Sequence, residues 1–161
     1  MVTRNKILTA EELKTRVRKW KDQGFKVVFT NGCFDILHLG HIDYLEKSRQ
    51  QGDKLVIGLN TDKSVSRLKG QGRPVQNEET RARILAALEF VDAVTYFDQQ
   101  TPYELIKTIV PDILVKGKDY KIEEIVGYDI VTANGGKVVT IDLVDGYSTT
   151  EIIEKIRKLN L

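Results

Sequence analysis

The chain has 161 residues, a formal net charge of +2 and 41% hydrophobic residues. That length accommodates one domain with a substantial core, and near-balanced charge argues against a general nucleic-acid or membrane-surface role. A single cysteine excludes an internal disulfide framework and suits a reducing cytoplasm; no apolar run approaches a membrane span, and residues 1–6 do not read as a secretory signal. No repeat or low-complexity tract interrupts the chain, so residues 1–161 are expected to form one cytoplasmic domain.

Thr9 followed by Glu11 and Glu12 reads as a helix cap with an acidic first turn, and Leu13, Val17 and Trp20 recur at helical spacing as far as Gly24. This N-terminal helix, within residues 1–25, leads into a β-branched apolar run from Lys26 to Thr30, the first strand. A turn built on Asn31, Gly32 and Asp35 follows, then His38-Leu39-Gly40-His41 and a helix ending near Gly52. Strand, glycine-bearing turn and helix start form an anion-binding device, because the first helical N–H groups are unpaired and the dipole is positive there. His38 and His41, three apart, fall on one face, and Gly40 between them leaves room for a nucleotide to approach. Two imidazoles with backbone donors could stabilise charge on a phosphate undergoing transfer. A zinc site on His38, His41 and Cys33 lacks a fourth ligand at usual spacing.

The second strand is predicted over Lys54–Asn60, with Asn60-Thr61-Asp62 as turn and helix cap. The segment from Lys63 to Pro74 holds two glycines and four basic residues, Lys69 and Arg73 among them, and reads as a flexible basic loop able to close over phosphates. An amphipathic helix is expected over Glu78–Phe90, with Ile84, Leu85 and Leu88 toward the core. Val91–Phe97 reads as the third strand. Thr101-Pro102 caps a helix through Val110 that Pro111 stops. Ile113–Val115 is the fourth strand, running into Lys116-Gly117-Lys118-Asp119-Tyr120. A helical stretch from Ile122 to Ala133, a turn at 134–136 and a last strand over Lys137–Ile141 follow. Ser148 or Thr149 would cap the final helix.

Alternating strands and helices imply an α/β fold: a Rossmann-like, doubly wound, mostly parallel five-stranded sheet of order 3-2-1-4-5 with helices on both faces. That order puts strands one and four side by side at the switch point. Their carboxyl ends carry the His38/His41 turn and Lys116-Gly117-Lys118-Asp119.

The stretch Gly32-Cys33-Phe34-Asp35-Ile36-Leu37-His38-Leu39-Gly40-His41 resembles the signature of the cytidylyltransferase-like nucleotidyltransferases, which move a nucleoside monophosphate from an NTP to a phosphate-bearing acceptor. The resemblance implies a nucleotide site on Gly32, Phe34, Asp35 and Gly40, with His38, His41, Lys69 and Lys116 as catalytic groups. It implies further nucleotide contacts from Gly117 and Asp119 and from the Gly-x-Ser-Thr-Thr element that contains Ser148, Thr149 and Thr150. Arg73 and Arg81 are candidate phosphate or acceptor contacts. Mg²⁺ would be held through the substrate phosphates rather than by side chains.

From about Leu8 to Arg157 the chain looks like the heptose 1-phosphate adenylyltransferase branch. The expected substrates are then ATP and a heptose 1-phosphate, in a homodimer without nucleic-acid or membrane partners. Many branch members fuse this domain to a sugar kinase, whose step is expected here on another polypeptide. Leu143, where the cytidylyltransferases for glycerol 3-phosphate and choline phosphate have arginine, speaks against those acceptors; Tyr147 stands where the branch often has cysteine. A cytidylyltransferase for a polyol or amino-alcohol phosphate and a non-catalytic nucleotide-binding module remain the alternatives.

Overall fold

A computed structural model describes residues 2–119 and 121–159; Tyr120, which closes the predicted Lys-Gly-x-Asp-Tyr segment, lies outside the described residues. Five parallel strands form one sheet: β1 (Val27–Gly32), β2 (Lys54–Asn60), β3 (Ala93–Phe97), β4 (Ile113–Gly117) and β5 (Lys137–Ile141). Their order is β3-β2-β1-β4-β5, the predicted one. The bounds of β2 and β5 fall where the sequence put them. β1 and β4 each run two residues further than predicted, so Asn31, Gly32, Lys116 and Gly117 belong to strands rather than turns.

Alternation along the strands feeds two apolar layers. Val27, Phe29 and Val56 point to the layer closed by α1 (Ala10–Asp22), α5 (Tyr103–Ile109) and α6 (Tyr128–Ala133). Val28, Leu55, Ile57 and Leu59 point to the layer closed by α2 (Leu39–Arg49) and α4 (Glu78–Ala87). A strand buried on both faces reads as a continuous apolar run for this reason. α1 starts with a capping box: Thr9 accepts from the Glu12 N–H, and the Glu12 carboxylate accepts from the Thr9 N–H at 2.8 Å.

Three expectations are corrected. The segment after Asp62 begins as a helix, α3 (Asp62–Lys69), capped by Thr61 and seated through buried Ser64 and Val65; only the part beyond Lys69 is loop. α4 ends at Ala87, and Ile84, predicted to face the core, is exposed, because Ala82, Leu85 and Ala86 make the buried stripe. The predicted helix from Ile122 to Ala133 is a short 3-10 turn (Ile122–Glu124) and then α6, broken where Gly127 takes φ +92°. The last helix, α7 (Thr149–Arg157), begins at the Ser148 cap. Among the described residues no helix is long and apolar enough to cross a membrane.

Candidate functional site

The site grows from the carboxyl end of β1. The chain leaves Gly32 through Cys33 and enters Phe34 at φ +45°, a left-handed conformation that costs a residue with a side chain about 1–2 kcal/mol. The Phe34 ring folds back over Gly32, where any Cβ would lie 2.9 Å from ring carbon Cε2, so only glycine fits. Asp35 then turns inward. Its carboxylate, 2% exposed, accepts from the Val75 and Gln76 N–H groups at 2.9 Å and from Arg73 Nε at 2.8 Å. Burial alone would raise the Asp35 pKa, but the N–H groups of Gln76 and Val75 and the Arg73 guanidinium outweigh it and hold the carboxyl below its usual range.

His38 is the N-cap residue of α2 and His41 lies in its first turn, so helix geometry stacks the two rings, centroids 3.8 Å apart at 22°. Phe34 meets His41 edge-on at 5.3 Å. Tyr44, one turn on, seats the helix: its hydroxyl lies 2.8 Å from Thr30 Oγ1 on β1 and donates to the Val115 carbonyl on β4. Among the described residues, Nδ1 of each histidine is buried without a hydrogen-bond partner. Burial, then the neighbouring His38, pushes His41 down to about 4, against a weak opposing pull from the Ile36 carbonyl, which does not reach hydrogen-bonding geometry. Burial also lowers His38, with Glu151 pulling it back up. Both rings are therefore neutral at pH 7 in the free protein.

β4 delivers Lys116 from the neighbouring strand. Its ammonium donates to Asn31 Oδ1, and among the described residues no carboxylate forms an ion pair with it. Burial lowers it to about 8, so it stays largely charged at pH 7 and is held in a poorly solvated place, ready for an anion. The end of α3 brings Lys69, which is exposed and borders the same cavity. From the far side comes the start of α7. Ser148 Oγ accepts from the Glu151 N–H at 3.0 Å, and Thr149 Oγ1 donates to the Ile36 carbonyl at 3.1 Å, tying this helix to the histidine loop. Two helix N-termini thus converge on one space.

That space is a cavity of about 580 Å³, within the usual range for a small-molecule site. His38, His41, Lys69, Lys116, Gly32, Phe34, Gly40, Gly117, Asp119, Ser148, Thr149 and Thr150 all line it. Asp35 and Arg73 border it as well, but they are engaged with each other and fasten the 73–76 loop. Arg81, a candidate phosphate or acceptor contact from sequence, does not reach the cavity. Its side chain is 0% exposed and bonds the carbonyls of Cys33, Asn60 and Gln76 and the Asp62 carboxylate. Sequence reasoning missed Asn31, Asn60 and exposed Leu68 as lining residues. Asn31 is the penultimate residue of β1, beside the switch point, and Asn60 ends the neighbouring β2, which was an available signal; Leu68 carried none.

Among the described residues no group of three or more His, Cys, Asp or Glu could hold a metal ion. The donor set is imidazole, ammonium and backbone N–H. It suits the oxygens of a phosphate.

Residues 29–155 match the cytidylyltransferase-like family. The chain is 54% identical over 151 residues to the bifunctional protein HldE of Azorhizobium caulinodans, covering 94% of this chain and 32% of that protein. It is 55% identical over 152 residues to the bifunctional protein HldE of Methylobacillus flagellatus, covering 94% and 31%. The chain thus spans about a third of the length of these relatives. A crystal structure of the lipopolysaccharide core biosynthesis protein from Thermoplasma volcanium superposes with TM-score 0.64 at 33% identity, over 76% of this chain and all of that one. Pantoate-beta-alanine ligase from Francisella tularensis, complexed with Beta-gamma ATP and beta-alanine, shares the fold at TM-score 0.61 and 14% identity, over 96% of this chain and 78% of that one.

Proposed function

The chain belongs to the cytidylyltransferase-like family of nucleotidyltransferases, and we propose that it transfers AMP from ATP to a heptose 1-phosphate, giving ADP-heptose and pyrophosphate. The observation that carries this reading is the meeting of the stacked His38/His41 pair, Lys116, Lys69 and two helix N-termini in one cavity. The heptose acceptor is supported by the motif resemblance over residues 8–157 and by the identity to proteins named HldE.

In this mechanism an oxygen of the acceptor phosphate attacks the α-phosphorus of ATP in line. The α-phosphorus–oxygen bond to pyrophosphate breaks, and the leaving group departs with that electron pair. No covalent intermediate forms on the chain. The imidazoles of His38 and His41 donate N–H bonds to the non-bridging oxygens as charge grows on them, and neutral rings are adequate donors. Lys116, poorly solvated and without a carboxylate partner among the described residues, gains most from an arriving anion. Lys69 attracts the pyrophosphate portion from the rim. Asp119, beside Gly117 at the end of β4, accepts from the nucleotide. Mg²⁺, held by the phosphates, supplies charge neutralisation when bound.

The test is pyrophosphate release with ATP and with CTP against a panel of sugar 1-phosphates and polyol or amino-alcohol phosphates. Rapid release with ATP and heptose 1-phosphate is expected. Preference for CTP and a polyol phosphate would replace this reading with a cytidylyl one, and intact ATP against every acceptor would leave a nucleotide-binding module.

A further inference from the structure

Arg81 buries a positive charge, which is unfavourable unless its donors all find acceptors. The acceptors come from four segments. Asn60 ends β2, Gln76 precedes α4 and Asp62 opens α3, so these three brace ends of secondary structure. The fourth, the Cys33 carbonyl at 2.7 Å, belongs to the peptide that joins Cys33 to Phe34. That peptide is trans, since the cis bond among the described residues is Arg73-Pro74. In a planar trans peptide the C=O and the N–H point in opposite directions. Arg81 lies off the cavity, while Cys33 and Phe34 line it. Drawing the carbonyl toward Arg81 therefore turns the Phe34 N–H to the cavity side, where it donates to no acceptor among the described residues.

Phe34 itself is in the left-handed region, a conformation that persists only when its surroundings over-determine it. Two clamps do so. Arg81 holds the peptide before Phe34, and on the other side the Asp35 carboxylate is held by Arg73 and the Val75 and Gln76 N–H groups. Without the first clamp, Phe34 can relax to an ordinary φ and swing its N–H away.

The geometry points to Arg81 as a positioning residue: it never touches substrate, and it aims the Phe34 N–H at the phosphate that reacts. This inference rests on the nucleotidyl-transfer reading above. The chain has five phenylalanines and one cysteine, Cys33, so selective ¹⁵N-phenylalanine labelling shows five amides and added ¹³C′-cysteine labelling identifies that of Phe34. In the wild type, ATP with Mg²⁺ is expected to shift that amide strongly. In Arg81→Gln the shift should vanish and kcat should fall about 100-fold, the usual loss of one transition-state donor, with KM for ATP within about threefold. Asp62→Asn removes the ion pair but spares the Cys33 bond; it should keep both the shift and kcat within about threefold. Arg81→Lys, which keeps the charge but not the fork, should lose the shift too, and it stands in if the glutamine variant does not fold.

An unmoved Phe34 amide in wild type that turns over ATP would overturn the inference without any variant. So would an Arg81→Gln protein that keeps the shift, or an Asp62→Asn protein that loses as much kcat. Wild type that neither binds ATP at any of the five amides nor releases pyrophosphate would instead remove the reading beneath it, and the inference with it.

Discussion

Replacing Gly40 by alanine should separate stability from activity. Gly40 is in the first turn of α2, between the two histidines. A Cβ there would lie 3.1 Å from His38 Nδ1, 3.2 Å from His38 Cε1 and 3.2 Å from Tyr147 Cβ. Comfortable contacts begin at about 3.5 Å, so each neighbour must give by a few tenths of an ångström. Tyr147 is 45% exposed and can yield toward solvent. His38 is stacked on His41 and cannot move without disturbing the pair. On stability, alanine gains up to about 1 kcal/mol of helix propensity and loses about as much to crowding. The net should be within about 1 kcal/mol, a Tm change of no more than about 4 °C for a domain of this size. On activity, a 1 Å misplacement of a catalytic group costs about 100-fold, so a few tenths of an ångström should cost about fivefold in kcat/KM. Thermal unfolding and a coupled pyrophosphate assay read the two effects. Activity within twofold of wild type would refute the claim that the ring position governs turnover.

Two further outcomes follow from the titrating groups. The fall of Lys116 to about 8 corresponds to at most about 3 kcal/mol of penalty for the free fold at neutral pH. Lys116→Met also loses the bond to Asn31, so it should stabilise the protein by about 1–2 kcal/mol in urea unfolding while cutting turnover by ~100-fold; equal or lower stability contradicts the burial argument. His41, at about 4 in the fold against about 6.5 unfolded, is protonated first in the unfolded chain as pH falls. Its contribution to stability is complete above pH 6.5 and lost between pH 6.5 and 4, at most about 3 kcal/mol and less for a half-buried ring. Wild type should therefore lose more stability than His41→Asn between pH 7 and pH 4.5, and parallel losses would be inconsistent with a depressed His41.

Local signals made much of this molecule legible in the sequence. Thr9 with Glu12 and Ser148 with Glu151 mark helix starts through short-range hydrogen bonds, and the apolar runs of β2 and β5 are bounded by turns. The right-handed crossover rule then sets strand order, which brings the histidine turn and Lys116 together. What stayed hidden depends on pairing across the fold. α3 is polar enough to read as loop, and it is a helix because Ser64 and Val65 dock against the sheet. Asp35 and Arg73 are 38 positions apart, and nothing local says that they bond each other rather than a ligand. Arg81 looked like a phosphate contact for the same reason: a basic residue near a phosphate motif reads alike whether it faces the cavity or braces the loops behind it.

The central claim is that the paired imidazoles stabilise charge at the reacting phosphate. Its most direct test is the single-turnover rate of pyrophosphate release from ATP by His41→Ala, with heptose 1-phosphate as acceptor and with the variant's Tm measured alongside. A loss of ~100-fold or more in a folded variant is the predicted result. A rate within about tenfold of wild type would contradict the account.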